Sequence, residues 1–196
     1  MSVTHGRPGG RRAVVELVPR DQAPLLARRF YGEHGPVSPI TASLAHVPEL
    51  LDVALPFIDA ALGPGTLGER LKEIAVLRTS ALLGCRYCVQ THTAVALDSG
   101  LTAAEVRALR GEAELAPAFG AARDRAAIAW IDAVASGRGP VDGVLRELAS
   151  THFDDPELVE LTMAVTSTAM LNRYCSSLAL PTSARTLARL ARAGFK

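Results

Sequence analysis

The chain of 196 residues is long enough for one globular domain, and its 48% of apolar residues can bury a sizeable core, which argues against chain-wide disorder. A formal net charge of +1 with scattered basic residues does not indicate a nucleic-acid-binding surface, so no nucleic-acid partner is expected. Three cysteines, an odd number, do not fit a secreted disulfide framework.

Residues 1–12 are rich in Gly, Arg and Pro, and we expect them to form a flexible tail ahead of one domain over residues 13–196. No signal peptide is apparent, and the longest apolar run falls short of the roughly 20 residues that cross a bilayer. The expected protein is therefore cytoplasmic and has no membrane partner.

The first helical pattern covers residues 43–65, where apolar residues recur at helical spacing before a Gly-Pro-Gly stop. Pro56 lies inside this pattern and is expected to kink or split the helix. The next helix is predicted over residues 67–83, with Thr66 and Glu69 as a capping box at its start.

A helix over residues 85–99 follows Gly84, which is expected to be the left-handed cap of the preceding helix. If Gly84 turns the chain back, the two helices form an antiparallel hairpin. Thr102 and Glu105 predict a second capping box. With no alternating strand pattern, the sequence predicts an all-α, single-domain helical bundle with this hairpin at its centre. Further helices are predicted at residues 119–136, 141–151, 155–178 and 183–194.

One stretch of the hairpin concentrates reactive side chains. Cys85, Cys88 and His92 are three and four residues apart, so on a helix they fall within about 60° of one another. The cysteines lie at a helix start, where unpaired backbone N–H groups and the helix dipole lower a thiol pKa. Two thiols three residues apart can also close a disulfide, as in dithiol redox motifs.

A carboxylate of the preceding helix can reach this group. Glu73 lies roughly 16 Å back along one arm of the hairpin and His92 roughly 12 Å back along the other, at about 1.5 Å per residue. A glutamate side chain can bridge that difference. Glu73 can then orient the imidazole and raise its basicity, and His92 can exchange a proton with Cys88.

The spacing Glu73, eleven residues, Cys85-Arg-Tyr-Cys88, three residues, His92 resembles the signature of the alkyl hydroperoxidase D-like family of the carboxymuconolactone decarboxylase superfamily. Residues 73–106 resemble the family core throughout. The resemblance implies an all-helical fold that forms homo-oligomers, whether dimers, trimers or hexamers. It also implies a thiol-dependent alkyl hydroperoxidase, or dithiol oxidoreductase, without a cofactor or metal.

Carried over position by position, the resemblance makes Cys88 the thiolate that attacks a hydroperoxide and Cys85 the thiol that resolves the sulfenic acid. Glu73 and His92 form the implied proton relay. Tyr87 stands where the named enzyme of this family has a histidine, and it is interpreted as a residue at the mouth of the site whose hydroxyl can donate a proton. The implied reductant is a dithiol or a lipoylated protein.

Two other interpretations stay open. Cys85, Cys88 and His92 can belong to a metal-binding helical module, with Glu73 completing the set that zinc requires. Alternatively, the fold can serve as a decarboxylase-like lyase scaffold in which the dithiol is vestigial, although the decarboxylase branch generally lacks the cysteine pair.

Two remaining features receive structural interpretations. Cys175 is interpreted as a small core residue without a role. The helix around residues 158–171 is apolar on nearly all sides and is expected to be fully buried, in the core or between subunits.

Overall fold

The computed structural model describes residues 13–137 and 139–196, so the tail predicted over residues 1–12 lies outside the described residues. Within them all regular secondary structure is helical, which confirms the all-α prediction. Two short 3-10 turns, Arg20–Gln22 and Leu25–Phe30, precede the α-helices. The α-helices are α1 Pro39–Leu44, α2 Pro48–Leu62, α3 Glu69–Leu82, α4 Arg86–Asp98, α5 Ala103–Leu109, α6 Leu115–Ala118, α7 Ala122–Ser136, α8 Gly143–His152, α9 Asp155–Ser177 and α10 Ala184–Arg192.

Helix α3 lies at the centre of the bundle, against α4, α7 and α9. Its residues are buried on almost every side, as expected of a helix that is enclosed by others. Ile74 and Leu77 of α3 pack in one cluster with Ile131 of α7 and Leu161 of α9. The site residues on α3 and α4 are therefore held by the most enclosed part of the molecule.

The predicted hairpin is present. Gly84 has φ 67°, in the left-handed region that favours glycine, and the N–H of Cys85 donates to the carbonyl of Ser80 at 3.0 Å. Helix α4 then runs back along α3. The second capping box is also confirmed, because Thr102 and Glu105 satisfy each other's backbone N–H groups.

The capping box predicted at Thr66 is wrong. Helix α3 begins at Glu69 after Gly68, and no side chain caps it. A buried ion pair holds this entrance instead: Glu160 of α9 accepts the N–H of Leu67 at 3.0 Å and lies 2.7 Å from Nζ of Lys72. The Lys72 side chain is only 1% exposed, so the chain fixes the start of α3 through a distant helix.

The first helical pattern is interrupted earlier than predicted. Its first residues end α1, and α2 begins separately at Pro48, a favoured residue for the first turn of a helix. Helix α2 then continues past Pro56, which does not split it.

Helix α9 is not enclosed on all sides within this chain, so the core buries only part of it, and its predicted burial between subunits stays a prediction. Val159, Met163 and Met170 are 67%, 44% and 50% exposed, whereas Leu161, Ala164 and Val165 are buried. No helix in the described part of the chain is both long and apolar enough to span a bilayer.

Candidate active site

Cys85 is the residue that caps α4. Its Sγ accepts the N–H of Cys88 at 3.3 Å, so a sulfur takes the place of the oxygen that usually caps a helix. The Sγ atoms of Cys85 and Cys88 are 2.6 Å apart and both cysteines are free thiols. A disulfide between them requires little rearrangement.

Cys175 of α9 is a third thiol at the same place, and sequence reasoning missed it. It packs in one buried cluster with Cys85, Cys88 and Leu180. No local sequence pattern marks this residue, because its position beside the dithiol depends on how α9 packs against α4.

The three thiols share their protons unequally. Hydrogen bonds from the thiols of Cys175 and Cys88 lower the pKa of Cys85 to about 3, and the N–H of Cys88 adds to the effect against the cost of burial. The Cys88 thiol donates to Cys175 and Cys85, and these hydrogen bonds, together with burial, raise the pKa of Cys88. Donation to Cys85 raises the pKa of Cys175 to about 12. The resting negative charge therefore lies on Cys85, which caps the helix, rather than on Cys88.

Glu73 and His92 meet across the hairpin. Nδ1–H of His92 donates to the Glu73 carboxylate, with Nδ1 3.0 Å from Oε2 and 3.3 Å from Oε1. The Glu73 side chain is 10% exposed and that of His92 is 25% exposed. This bond fixes the imidazole and leaves Nε2 available to exchange a proton.

A cavity of about 200 Å³ lies beside α4 and gives these groups different access. Cys88 and His92 line it, whereas Cys85 and Glu73 stand behind its wall. Cys85 is 0% exposed, so only Cys88 of the pair can meet a molecule that enters. The other walls come from Ser38, Ile40, Leu62, Val76, Ser80, Tyr87, Thr91, Thr168, Leu171 and Asn172.

Tyr87 lies in the wall of the same cavity. Burial raises its pKa to about 12, while hydrogen bonds with the side chains of Ser38 and Thr91 act in the opposite direction. The phenol therefore stays protonated at neutral pH and can donate a hydrogen bond. The structure thus brings all five site residues predicted from the sequence together along the hairpin of α3 and α4.

Asn172 is a second lining residue without a sequence signal. Its amide nitrogen donates to the carbonyl of Thr168 at 2.7 Å and to Ser80 Oγ at 3.2 Å. Its amide oxygen is buried and has no hydrogen-bond partner among the described residues. Asn172 therefore ties the cavity wall to α3 through Ser80, while one of its own polar atoms stays unsatisfied within the part of the chain that the structure describes.

The thiol geometry does not suit zinc. Two thiolates on one tetrahedral zinc, each at about 2.3 Å, lie roughly 3.8 Å apart, whereas these sulfurs are 2.6 Å apart. No cluster of three or more His, Cys, Asp or Glu side chains with metal-binding geometry occurs within residues 13–137 and 139–196.

Comparisons with known proteins agree with this architecture. Residues 48–133 match the model of the carboxymuconolactone decarboxylase family. Among curated proteins, none matches the chain.

Solved structures share the fold over nearly the whole chain. A peroxidase-related protein from Silicibacter sp. TM1040 has a TM-score of 0.80 at 18% identity, covering 92% of this chain and 97% of its own. A peroxidase-related protein with an alkylhydroperoxidase AhpD core, from Ralstonia eutropha JMP134, has a TM-score of 0.75 at 22% identity, covering 92% and 96%.

A third similar structure is the debrominase Bmp8 in complex with 2,3,4-tribromopyrrole. Its TM-score is 0.74 at 17% identity, and the match covers 94% of this chain and 99% of that one. Proteins of this fold thus include a debrominase as well as peroxidase-related proteins. The chain is therefore similar to the carboxymuconolactone decarboxylase family over residues 48–133, and it shares its helical fold with peroxidase-related proteins.

Proposed function

We propose that this protein is a thiol-dependent peroxidase that reduces small organic hydroperoxides with the Cys85–Cys88 dithiol. One observation carries the proposal: of two touching thiols, only Cys88 faces a cavity, and His92 lines the same cavity with Glu73 behind it. An attacking thiol, a thiol to resolve it and a positioned base are the groups that this chemistry needs.

The first step oxidises Cys88. Glu73 holds Nδ1–H of His92, so Nε2 can take the proton of the Cys88 thiol as its sulfur attacks the terminal oxygen of the hydroperoxide, and no second free thiolate forms beside Cys85. The O–O bond breaks, and the alcohol leaves with the proton from His92. Cys88 becomes a sulfenic acid.

The second step closes the disulfide. Cys85 is already a thiolate and touches Cys88, so it attacks the sulfenic sulfur and expels hydroxide, which takes a proton to leave as water. The cysteine pair has then supplied both electrons. A dithiol or lipoylated protein restores the thiols by attack on Cys88, the member of the pair that faces the cavity.

The cavity limits the substrate. At about 30 Å³ per water molecule, its volume corresponds to roughly seven waters, which suits a small organic molecule. Leu62, Val76 and Leu171 give it apolar walls, and Ser38, Thr91 and His92 add polar groups. A short alkyl or aryl hydroperoxide fits these features.

Reductive debromination is a second candidate for the same thiols, since Bmp8 shares the fold. A brominated pyrrole would take two electrons from the dithiol and release bromide, and it would leave the same disulfide behind. A lyase, by contrast, would not consume thiols. The substrate that oxidises the thiols therefore distinguishes the two redox activities. A lyase is distinguished from both because its free thiols remain.

The test is a rapid-mixing assay on reduced, metal-stripped protein with one equivalent of cumene hydroperoxide, tert-butyl hydroperoxide or 2,3,4-tribromopyrrole. We expect wild type to lose two thiols with a hydroperoxide, and Cys88→Ser to lose none in the same time. Persistence of both thiols for hours would contradict the proposal. Equal reactivity of Cys88→Ser would contradict the role of Cys88.

The relay is tested with two variants of one helix. Glu73→Gln keeps the side chain's size but removes the carboxylate that accepts Nδ1–H of His92 and fixes the ring, so thiol oxidation should slow by roughly 10²-fold. Glu69→Gln alters an exposed carboxylate one turn earlier on α3 and should react as wild type does. Equal rates for the two variants would exclude Glu73 from the relay.

A further inference from the structure

We infer that Cys175 is a third redox-active thiol of this site and that it condenses with oxidised Cys88 when Cys85 does not. The peroxide-driven part of this inference rests on the proposed function. The pairing of the thiols is independent of it, since any two-electron thiol oxidant can reveal it.

The position of Cys175 supports this role. Cys175 packs in one cluster with Cys85 and Cys88, and all three are almost completely buried. Leu180 packs against the same three residues, and its N–H donates to the carbonyl of Cys175 at 3.0 Å. Both the backbone and the side chain of Cys175 are therefore held beside the dithiol.

The charge distribution sets the order of events. The donated hydrogen bond that keeps Cys175 protonated ends on the Cys85 thiolate. Cys85 is thus the faster resolving thiol in wild type. Replacement of Cys85 removes that thiolate and frees Cys175 to act as the nucleophile.

The step balances without another reactant. The thiol of Cys175 attacks the sulfenic sulfur of Cys88, an S–S bond forms, the S–O bond breaks, and the thiol proton leaves with hydroxide as water. A second resolving thiol also shortens the life of the sulfenic acid, so that less of it is oxidised further to the irreversible sulfinic acid.

Wild type gives the first test, by peptide mapping under non-reducing conditions after limited oxidation with diamide. We expect a major Cys85–Cys88 disulfide and a minor one that contains Cys175. The second test uses Cys85→Ser with one equivalent of cumene hydroperoxide. We expect loss of two thiols and a Cys88–Cys175 disulfide, with little sulfenic acid trapped by dimedone.

Two further variants are the controls. Cys85→Ser/Cys175→Ala should accumulate the dimedone adduct at least fivefold over Cys85→Ser, and more sulfinic acid with excess peroxide. Adding Ser150→Cys to that double variant restores the cysteine count on the exposed face of α8. It should not restore the disulfide.

The outcomes separate the two hypotheses. If no variant reacts with peroxide but diamide still joins Cys175 to Cys85 or Cys88, the peroxidase proposal fails and the third thiol stands. If diamide never oxidises Cys175 in folded wild type, the inference is wrong. It is also wrong if Cys85→Ser traps as much sulfenic acid as the double variant.

Discussion

Cys85 combines two tasks that usually fall to different residues, since it caps a helix and forms half of a dithiol. The sequence placed both cysteines at a helix start, and this position favours a thiolate. The pattern could not tell which sulfur receives the charge, because that depends on donors from α9. The structure assigns the low pKa to Cys85 and the cavity wall to Cys88.

This charge predicts the behaviour of the protein with pH. The pKa of Cys85 falls from an ordinary value of 9.0 to about 3 in the folded protein, so one thiolate should persist through neutral pH. Because the folded pKa lies below the unfolded one, the stability that ionised Cys85 adds is complete only above the unfolded value and is lost as pH falls towards 3.

Thiolate absorbance and urea unfolding would measure both effects across the acidic range. Wild type should show about one thiolate per chain at neutral pH, and Cys85→Ser should show none. The difference in unfolding free energy between the two proteins should narrow as pH is lowered. Three thiols that all titrate near 9 would refute the assignment.

At the scale of the element, the ends of α4 and α9 use the same hydrogen bonds with different residues. The N–H of Leu101 donates to the carbonyl of Ala96, and that of Leu180 to the carbonyl of Cys175, both at 3.0 Å. Gly100 takes the left-handed position at the end of α4, with φ 87°. Ala179 takes the same position at the end of α9, with φ 51°, and it is the single non-glycine residue with positive φ in the described ranges.

Exchanging the two residue types should therefore have opposite effects. Ala179→Gly relieves a left-handed alanine and should raise the unfolding free energy by about 1 kcal/mol, and Gly100→Ala should lower it by about the same. A Cβ at Gly100 meets no atom within 4 Å, so the loss there reflects the backbone alone. Urea denaturation measures both, and a shift of the same sign in the two variants would contradict this account.

Elements were predictable from the sequence where their signals are local. Gly84 and the Thr102 capping box lie next to the helices that they bound, so they were identified correctly. The start of α3 was not, because Glu160 supplies its contacts from far along the chain. Cys175 was missed for the same physical reason.

At the scale of the whole molecule, α2 and α9 pack against each other and each leaves apolar side chains exposed. Val53 and Phe57 of α2 are 64% and 43% exposed, and Met163 and Met170 of α9 are 44% and 50% exposed. Exposed apolar patches on globular proteins often mark interaction surfaces. The homo-oligomer that the family resemblance implies would cover them.

Sedimentation velocity would test that prediction. Met163→Glu/Met170→Glu places two charges on α9 and should shift the oligomer towards monomer, since an interface would bury those charges without partners. Val144→Glu, at a 77% exposed position of α8, should leave the distribution unchanged. A wild-type protein that is monomeric at high concentration would exclude the prediction.

The sulfur cap of α4 also bears on the equilibrium between the dithiol and its disulfide. The Cys85 thiolate exists only in the reduced protein, because a disulfide sulfur carries no charge. The stabilisation that its hydrogen-bond donors supply is lost on oxidation, so the reduced form is favoured and the disulfide becomes a stronger oxidant. Electrons should therefore flow readily into this protein from an ordinary cellular dithiol, and each return to the reduced state restores the cap of the helix.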